Sequence, residues 1–123
     1  ERLRVPTECK ELALTMAREH GQIEISQSLD AEEIVNLLER CDAIRKPERF
    51  LELLTACECV AKAREESEEF QYKPSQILSL AAAEVRRMDV GAIAKRAAAE
   101  GMRGPEIGKA IHSARVDALK KVL

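Results

Sequence analysis

Helical spacing is the feature that most constrains the fold of this chain. Apolar residues recur at intervals of three and four, as they do over residues 34–41, and nowhere does the chain show the apolar and polar alternation of a half-buried strand. Only three of the 123 residues are aromatic, namely Phe50, Phe70 and Tyr72. The interior must therefore be aliphatic, which favours packed helices. We expect an all-α fold of five to six helices in an irregular bundle, with room for two small subdomains.

Proline, glycine and acidic residues divide this pattern into elements. The first helix is predicted to begin at Pro6-Thr7, to end near His20-Gly21, and to have one apolar face made of Cys9, Leu12, Ala13 and Met16. After a polar loop through Ser26 and Ser28, Asp30 and Glu33 form a capping box that begins the second helix. Pro47 begins the third helix.

The second half of the chain begins after an acidic run at residues 65–69, which is the best candidate for a boundary. A fourth helix is expected beyond Lys73-Pro74-Ser75, and Asp89 is suited to cap a fifth over Val90 to Glu100. The last helix is predicted to run from Pro105 almost to the end of the chain. Its inner stripe is expected to be Ile107, Ile111, Ala114, Ala118 and Val122.

The segment Gly101–Gly108 joins the last two predicted helices and is the strongest candidate for a functional site. Its glycines permit a tight turn, and Pro105 suits a first helical position, so the free amides beginning at Gly104 would face outward beside Arg103 and Lys109. This arrangement predicts binding of a phosphate backbone, with Arg115 adding charge on the same helix. The segment also resembles the helix-hairpin-helix motif, with one extra residue between the first two glycines. An ordinary interhelical connection is the competing interpretation.

The charge distribution agrees with a basic end. The net charge is only −2, but residues 86–123 carry nine Lys or Arg against four Asp or Glu, a net +5, which leaves −7 on residues 1–85. Such asymmetry is typical of a module with one partner-facing end, although a solvated helix face has the same composition. The scarcity of aromatic residues argues against recognition by base stacking.

The cysteines and histidines do not form a recognisable site. Cys9, Cys41, Cys57 and Cys59 lack the spacing of zinc ligands, so we expect reduced, packed thiols in a cytoplasmic protein. No signal peptide or membrane-spanning run occurs in the sequence. His20 is expected at a helix end, and His112 as a surface residue or a half-buried packing residue. No catalytic constellation and no metal site can be assembled, and the start at Glu1 indicates a piece of a longer polypeptide.

Three stretches of the chain are similar to one known family. They are Glu1–Pro6 with Glu8 and Glu11–Ala13, then Asp42–Phe50 with Ala56–Glu58, and finally Gly104–Gly108 continuing through Ala114-Arg115. Together they resemble the C-terminal part of the bacterial CCA-adding enzymes, the tRNA nucleotidyltransferases that build or repair the CCA end of tRNA. The family's loop of the D-x-x-G-R-T-G type is replaced here by residues 60–66, which keep Lys62 and Arg64 as the matching cations.

The resemblance implies a division of the chain and a role. Residues 1–28 would end an HD-like subdomain, residues 29–70 would form a helical body, and residues 71–123 would form a helical tail. It further implies that the chain holds tRNA, with Lys62 and Arg64 added to the backbone contacts, while the N-terminal catalytic domain of the same polypeptide transfers CMP and AMP. Mg²⁺, ATP and CTP would belong to that parent enzyme, and no cofactor to this part.

Two other function classes stay open at this point. The alanine runs 81–83 and 97–99 permit close helix approach, so the chain also suits a packing module that contacts a partner subunit, the catalytic domain or a second copy without touching RNA. An autonomous phosphohydrolase would need metal ligands that the sequence does not supply, since the His-Asp pair of an HD site is absent.

Overall fold

The computed structural model describes residues 7–64 and 72–123, and the side chains from residue 10 onward. These two ranges contain six α-helices, one short 3₁₀ turn at Ser26–Ser28, and no strand. The all-α prediction is therefore confirmed. The helices are α1 (Thr7–Glu24), α2 (Ala31–Arg40), α3 (Pro47–Arg64), α4 (Lys73–Arg86), α5 (Val90–Ala99) and α6 (Gly104–Val122).

Two of the predicted helix starts have the expected caps. The Asp30 carboxylate accepts a hydrogen bond of 2.8 Å from the backbone N–H of Glu33 at the start of α2. The Asp89 carboxylate accepts one of 3.0 Å from the N–H of Ala92 at the start of α5. Each bond satisfies a backbone donor that the first turn of a helix leaves without a partner.

Helix α1 differs from its prediction in length and in its inner face. It continues through Gly21 to Glu24, so His20 lies inside the helix rather than at its end. Ile23 is completely buried, and its packing supports a helical turn that glycine alone would weaken. Ala13 is exposed, whereas Leu12 and Met16 pack against the core as expected.

The core is built around α2, which contacts α1, α4 and α6. Its buried side chains meet those of α3, α4 and α6 in a single apolar cluster. On α4, Ala81 and Ala82 are buried, and their small side chains let neighbouring helices approach closely. The predicted boundary near residue 70, the acidic run at 65–69 and residues 1–6 lie outside the described residues.

The predicted inner stripe of α6 is displaced around the helix. Val116 and Leu119 are the buried residues, while Val122 is 40% exposed and Ile107 and Ile111 are only half buried. The reason is that α6 packs on two sides, against α5 on one and against α2 and α4 on the other. A single stripe read from the sequence cannot represent a helix with two partners.

Candidate nucleic-acid interface

The turn between α5 and α6 has a specific hydrogen-bonded geometry. Gly101 has φ +90°, a value that L side chains rarely adopt. Its N–H donates to the Ala98 carbonyl at 3.0 Å, and the N–H of Met102 donates to the Ala97 carbonyl at 3.1 Å. These two bonds form a Schellman motif, which ends α5 and directs the chain into α6. The tight glycine turn predicted from the sequence is therefore present.

The start of α6 is open to solvent. Arg103 is its N-cap residue, with φ −109° and ψ 174°, and its side chain makes no capping hydrogen bond. The first intrahelical bond runs from the Ile107 N–H to the Arg103 carbonyl at 2.9 Å. Pro105 has no N–H, and within the described ranges the amides of Gly104 and Glu106 have no acceptor. A methyl group placed on Gly104 would meet no atom within 4 Å.

Two exposed cations lie beside this helix start. Arg103 precedes the first turn. Lys109 comes four residues after Pro105 and so lies on the same side of the helix as Pro105. Glu106, also exposed, is the opposing charge in that turn. The backbone amides, the positive end of the helix dipole and the two cations together form an anion-attracting surface.

Arg115 does not belong to that open surface. Its Nη1 donates to Glu39 Oε2 at 2.8 Å, and its side chain is only 17% exposed. His112 lies on the same carboxylate, with Nδ1 at 3.0 Å from Glu39 Oε1. Packing of α6 against α2 brings Arg115 to this carboxylate, so the charge that it was expected to add for backbone binding is paired with Glu39.

Two further cations were predicted to contact the backbone, Lys62 and Arg64. They lie in the last turn of α3. Both are exposed, and Arg64 Nη2 is 3.6 Å from Glu24 Oε1 on α1. Helix α3 has its main contacts with α1 and α4. Helices α3 and α6 are not in extensive contact in the described part of the chain, so the packing does not bring these two cations to Arg103 and Lys109.

A second group of cations lines a groove between α1 and the loop that joins α2 to α3. We call it the cationic groove and define it by five residues: Arg18, Arg40, Arg45, Lys46 and Arg49. From the sequence, the Asp42–Phe50 segment is marked only by its family likeness, which implies no particular contact. The sequence feature that indicates this groove is a group of four positively charged side chains within ten residues, at positions 40, 45, 46 and 49.

The loop that carries this groove is closed by a non-glycine residue in a left-handed conformation. Asp42 has φ 59°, and the Asp42 and Ala43 amides donate to the carbonyls of Glu39 and Leu38 at 3.2 and 3.0 Å. This is a Schellman motif like the one at Gly101, but with a side chain where glycine is usual. The Asp42 carboxylate accepts two hydrogen bonds from Arg45, of 3.0 and 2.9 Å.

Glu19 organises the opposite wall of the groove. Its carboxylate is almost fully buried, and it accepts hydrogen bonds from Arg40 at 3.0 Å and from Arg18 at 2.9 Å. The bond from Arg40 is the main cause that holds the pKa of Glu19 below its ordinary value, against an opposing effect of burial. The same bond raises the pKa of Arg40. The two hydrogen bonds from Arg40 Nε and Nη2 therefore set the direction of that guanidinium at the groove.

The remaining titratable groups do not suggest chemistry. Burial raises the pKa of Cys41 to about 12 and that of Cys57 to about 11, so these thiols are protonated and inert, while Cys59 is exposed. In the described ranges no three His, Cys, Asp or Glu side chains come together as a metal site would require. No helix within them is long and apolar enough to cross a membrane.

Comparison with known proteins places the whole chain against one segment of a longer protein. It is 50% identical over 121 residues to a multifunctional CCA protein of Paracidovorax citrulli, which covers 98% of this chain and 29% of that protein. It is 49% identical over 119 residues to one from Acidovorax sp. strain JS42, covering 97% and 28%, and 46% identical over 123 residues to one from Verminephrobacter eiseniae, covering 100% and 30%.

The chain thus spans less than a third of the length of the relatives it matches. No family model matches it, and no solved structure matches it significantly. The resemblance to the CCA-adding enzymes stated from the sequence is confirmed, and the chain corresponds to a C-terminal part of them.

Proposed function

Because this chain is the counterpart of a C-terminal part of the multifunctional CCA proteins, we propose that it holds the tRNA backbone in a CCA-adding tRNA nucleotidyltransferase. The observation that carries this proposal is the open start of α6. There the unpaired amides of Gly104 and Glu106 lie between the exposed cations Arg103 and Lys109. No other helix start in the described ranges has the same combination of a glycine turn, a proline and two flanking cations.

The mechanism is positional. Phosphate oxygens of the tRNA would accept hydrogen bonds from the two amides, and Arg103 and Lys109 would replace the counterions of the bound phosphates. Contacts of this kind set the orientation of a bound nucleic acid without reading its sequence. Lys62 and Arg64 would contribute from the end of α3, and Arg115 would act indirectly by joining α6 to α2 through Glu39.

The transfer step itself is assigned to parts of the parent enzyme outside this chain. The Mg²⁺ implied by the family would polarise the phosphates of CTP and ATP during nucleotide transfer. The described residues offer no cluster of carboxylates that fits such an ion. This chain would therefore contribute binding and orientation of the tRNA, in contact with the N-terminal catalytic domain of the same polypeptide in the cytoplasm.

The test is the salt dependence of RNA binding by a variant of the α6 start. Arg103→Gln with Lys109→Gln removes two exposed cations, and Lys120→Gln with Lys121→Gln removes two from the other end of the same helix. Binding to a minihelix of the tRNA acceptor and T arms is measured over a salt series. We expect the first variant to lower the slope of log K against log salt by about two units and the control to leave it near the wild-type value. Equal slopes for both variants would contradict the site assignment.

A packing role without RNA contact is the second candidate, and one observation favours it. A cavity of about 410 Å³ lies between α5 and α6, lined mainly by small or apolar side chains that include Ile93, Met102 and Ala114. Such a surface suits a helix of another domain or of a second copy. Sedimentation of the purified chain separates the two functions, because self-association that is insensitive to salt together with absence of RNA binding would favour packing.

A further inference from the structure

We propose that the cationic groove is a second binding site for phosphate groups of a nucleic-acid backbone. It lies between α1 and the α2–α3 loop and has a volume of about 370 Å³. Its residues are far in sequence from the α5–α6 turn. The inference rests on the proposed function, since it assigns a further contact of the same RNA. It adds a site in the Asp42–Phe50 segment, to which neither the sequence pattern nor the α6 geometry gives a role.

The first argument is the charge of the groove. Five cations line it, whereas only three carboxylates pair with them, those of Glu11, Glu19 and Asp42. Glu19 serves both Arg18 and Arg40, and among the described residues Lys46 has no ion-pair partner. The groove therefore carries an excess of two positive charges, which a protein surface keeps at a local cost in self-repulsion unless an anion neutralises it.

The second argument is the number of donors left over. Arg45 uses Nε and Nη2 on Asp42, and Arg40 uses Nε and Nη2 on Glu19. Within the described part of the chain, each guanidinium keeps Nη1, which carries two N–H groups, and the ammonium of Lys46 keeps its three donors. The acids thus fix the direction of the arginines and leave part of each fork available, which is the preorganised form that phosphate recognition requires.

The third argument is the start of α3. The Phe50 N–H donates to the Lys46 carbonyl at 3.1 Å, so Lys46 is the N-cap residue and Pro47 follows it. A lysine side chain has no acceptor, so it cannot cap the helix. Its positive charge also lies at the positive end of the helix dipole, which is unfavourable. Arg103 is likewise the N-cap residue of α6, with Gly104 between it and Pro105. A bound phosphate would relieve both disadvantages by accepting from the free amides of the first turn.

The fourth argument is Asp42. A left-handed conformation is less favourable for aspartate than for glycine, and glycine would close the same Schellman motif without that strain. What the aspartate supplies is the double hydrogen bond that holds Arg45 in the groove. Asp42 is thus a positioning residue for a cation at the surface.

The experiment compares two double variants of the 123-residue chain. Arg45→Gln with Lys46→Gln alters the groove, and Lys73→Gln with Arg86→Gln removes two exposed cations from the ends of α4, where Lys73 also precedes a proline. Each variant is first checked for wild-type helicity by circular dichroism. Binding to the tRNA minihelix is then measured over a salt series. The amide resonances of residues 42–49, apart from Pro47, are followed by NMR during titration with the minihelix and, separately, with inorganic tripolyphosphate.

The expected result is that the minihelix shifts the amides of residues 42–49, and that the groove variant binds at least about tenfold more weakly at 100 mM salt, with a salt slope lower by about two units. The α4 control should bind within about twofold of wild type. If the groove variant kept the affinity and the salt slope of the wild type, the proposed groove site would be wrong and the proposed α6 site would be unaffected. Shifts with tripolyphosphate but not with RNA would overturn the backbone assignment. Absence of RNA binding by wild type at low salt would overturn the proposed function itself, and the groove with it.

Discussion

Alanine substitutions at two glycines are expected to change the free energy of unfolding in opposite directions. Gly101 has φ +90° and closes the Schellman motif at the end of α5, whereas Gly21 lies inside α1 and is exposed. At both positions a methyl group would meet no atom within 4 Å, so steric crowding does not enter. Any difference between the two substitutions therefore reports backbone conformation alone.

The magnitudes follow from that difference. Gly101→Ala forces an L residue into the left-handed region and should lower the free energy of unfolding by about 1–2 kcal/mol. Gly21→Ala removes the conformational entropy of a glycine from a helix interior and should raise it by about 0.5–1 kcal/mol. For a chain of this length, about 1 kcal/mol corresponds to a Tm shift of about 4 °C.

Thermal and urea unfolding followed by circular dichroism at 222 nm measures both values. Gly101→Asn serves as a control, because asparagine tolerates the left-handed region better than alanine and should recover part of the loss. If Gly101→Ala left the Tm unchanged or raised it, the turn before α6 would not have this geometry. The orientation of the helix start inferred from it would then be wrong.

Three further outcomes are expected. Leu119→Ala, at a fully buried position, should destabilise the chain by about 2–5 kcal/mol in urea unfolding, whereas Val122→Ala, at a residue 40% exposed, should cost less than about 1 kcal/mol; comparable losses would contradict the burial pattern of α6. Arg40 holds the folded pKa of Glu19 below its ordinary value of 4.5, so the stability from this pair is complete above that value and is lost as pH falls through the folded pKa. Glu19→Gln should accordingly have a lower free energy of unfolding than wild type at pH 7, and the difference should disappear in acid. A stability difference that does not depend on pH would refute the assignment of this stability to the Glu19–Arg40 pair. Among the three cysteines with described side chains, Cys59 should react first with iodoacetamide in the native protein, as read by peptide mass mapping, and equal reaction of the buried thiols would contradict their protection.

Local chemistry made much of the fold predictable. Asp30 and Asp89 cap helices because a short carboxylate reaches the N–H three residues on, which requires only neighbours in sequence. Gly101 closes a turn because it alone among its neighbours adopts a positive φ without cost. The open start of α6, which carries the proposed function, was predictable for the same reason.

Features that depend on partners far along the chain were not predictable. The sequence predicts that Arg115 adds charge for backbone binding, but α6 has two packing sides, and Glu39 on α2 accepts a hydrogen bond from its guanidinium. The cationic groove likewise joins Arg18 on α1 to residues 40–49, and only the packing of α1 against α2 and α3 brings them together.

The sequence by itself therefore determined the helices, most of their ends, the exposed turn before α6 and the likeness to the CCA-adding enzymes. Each of these features depends on residues that are close together along the chain. The tertiary structure alone decided which cations are free to meet an anion and which are held by carboxylates. That outcome depends on distances between helices, and no local pattern specifies such distances.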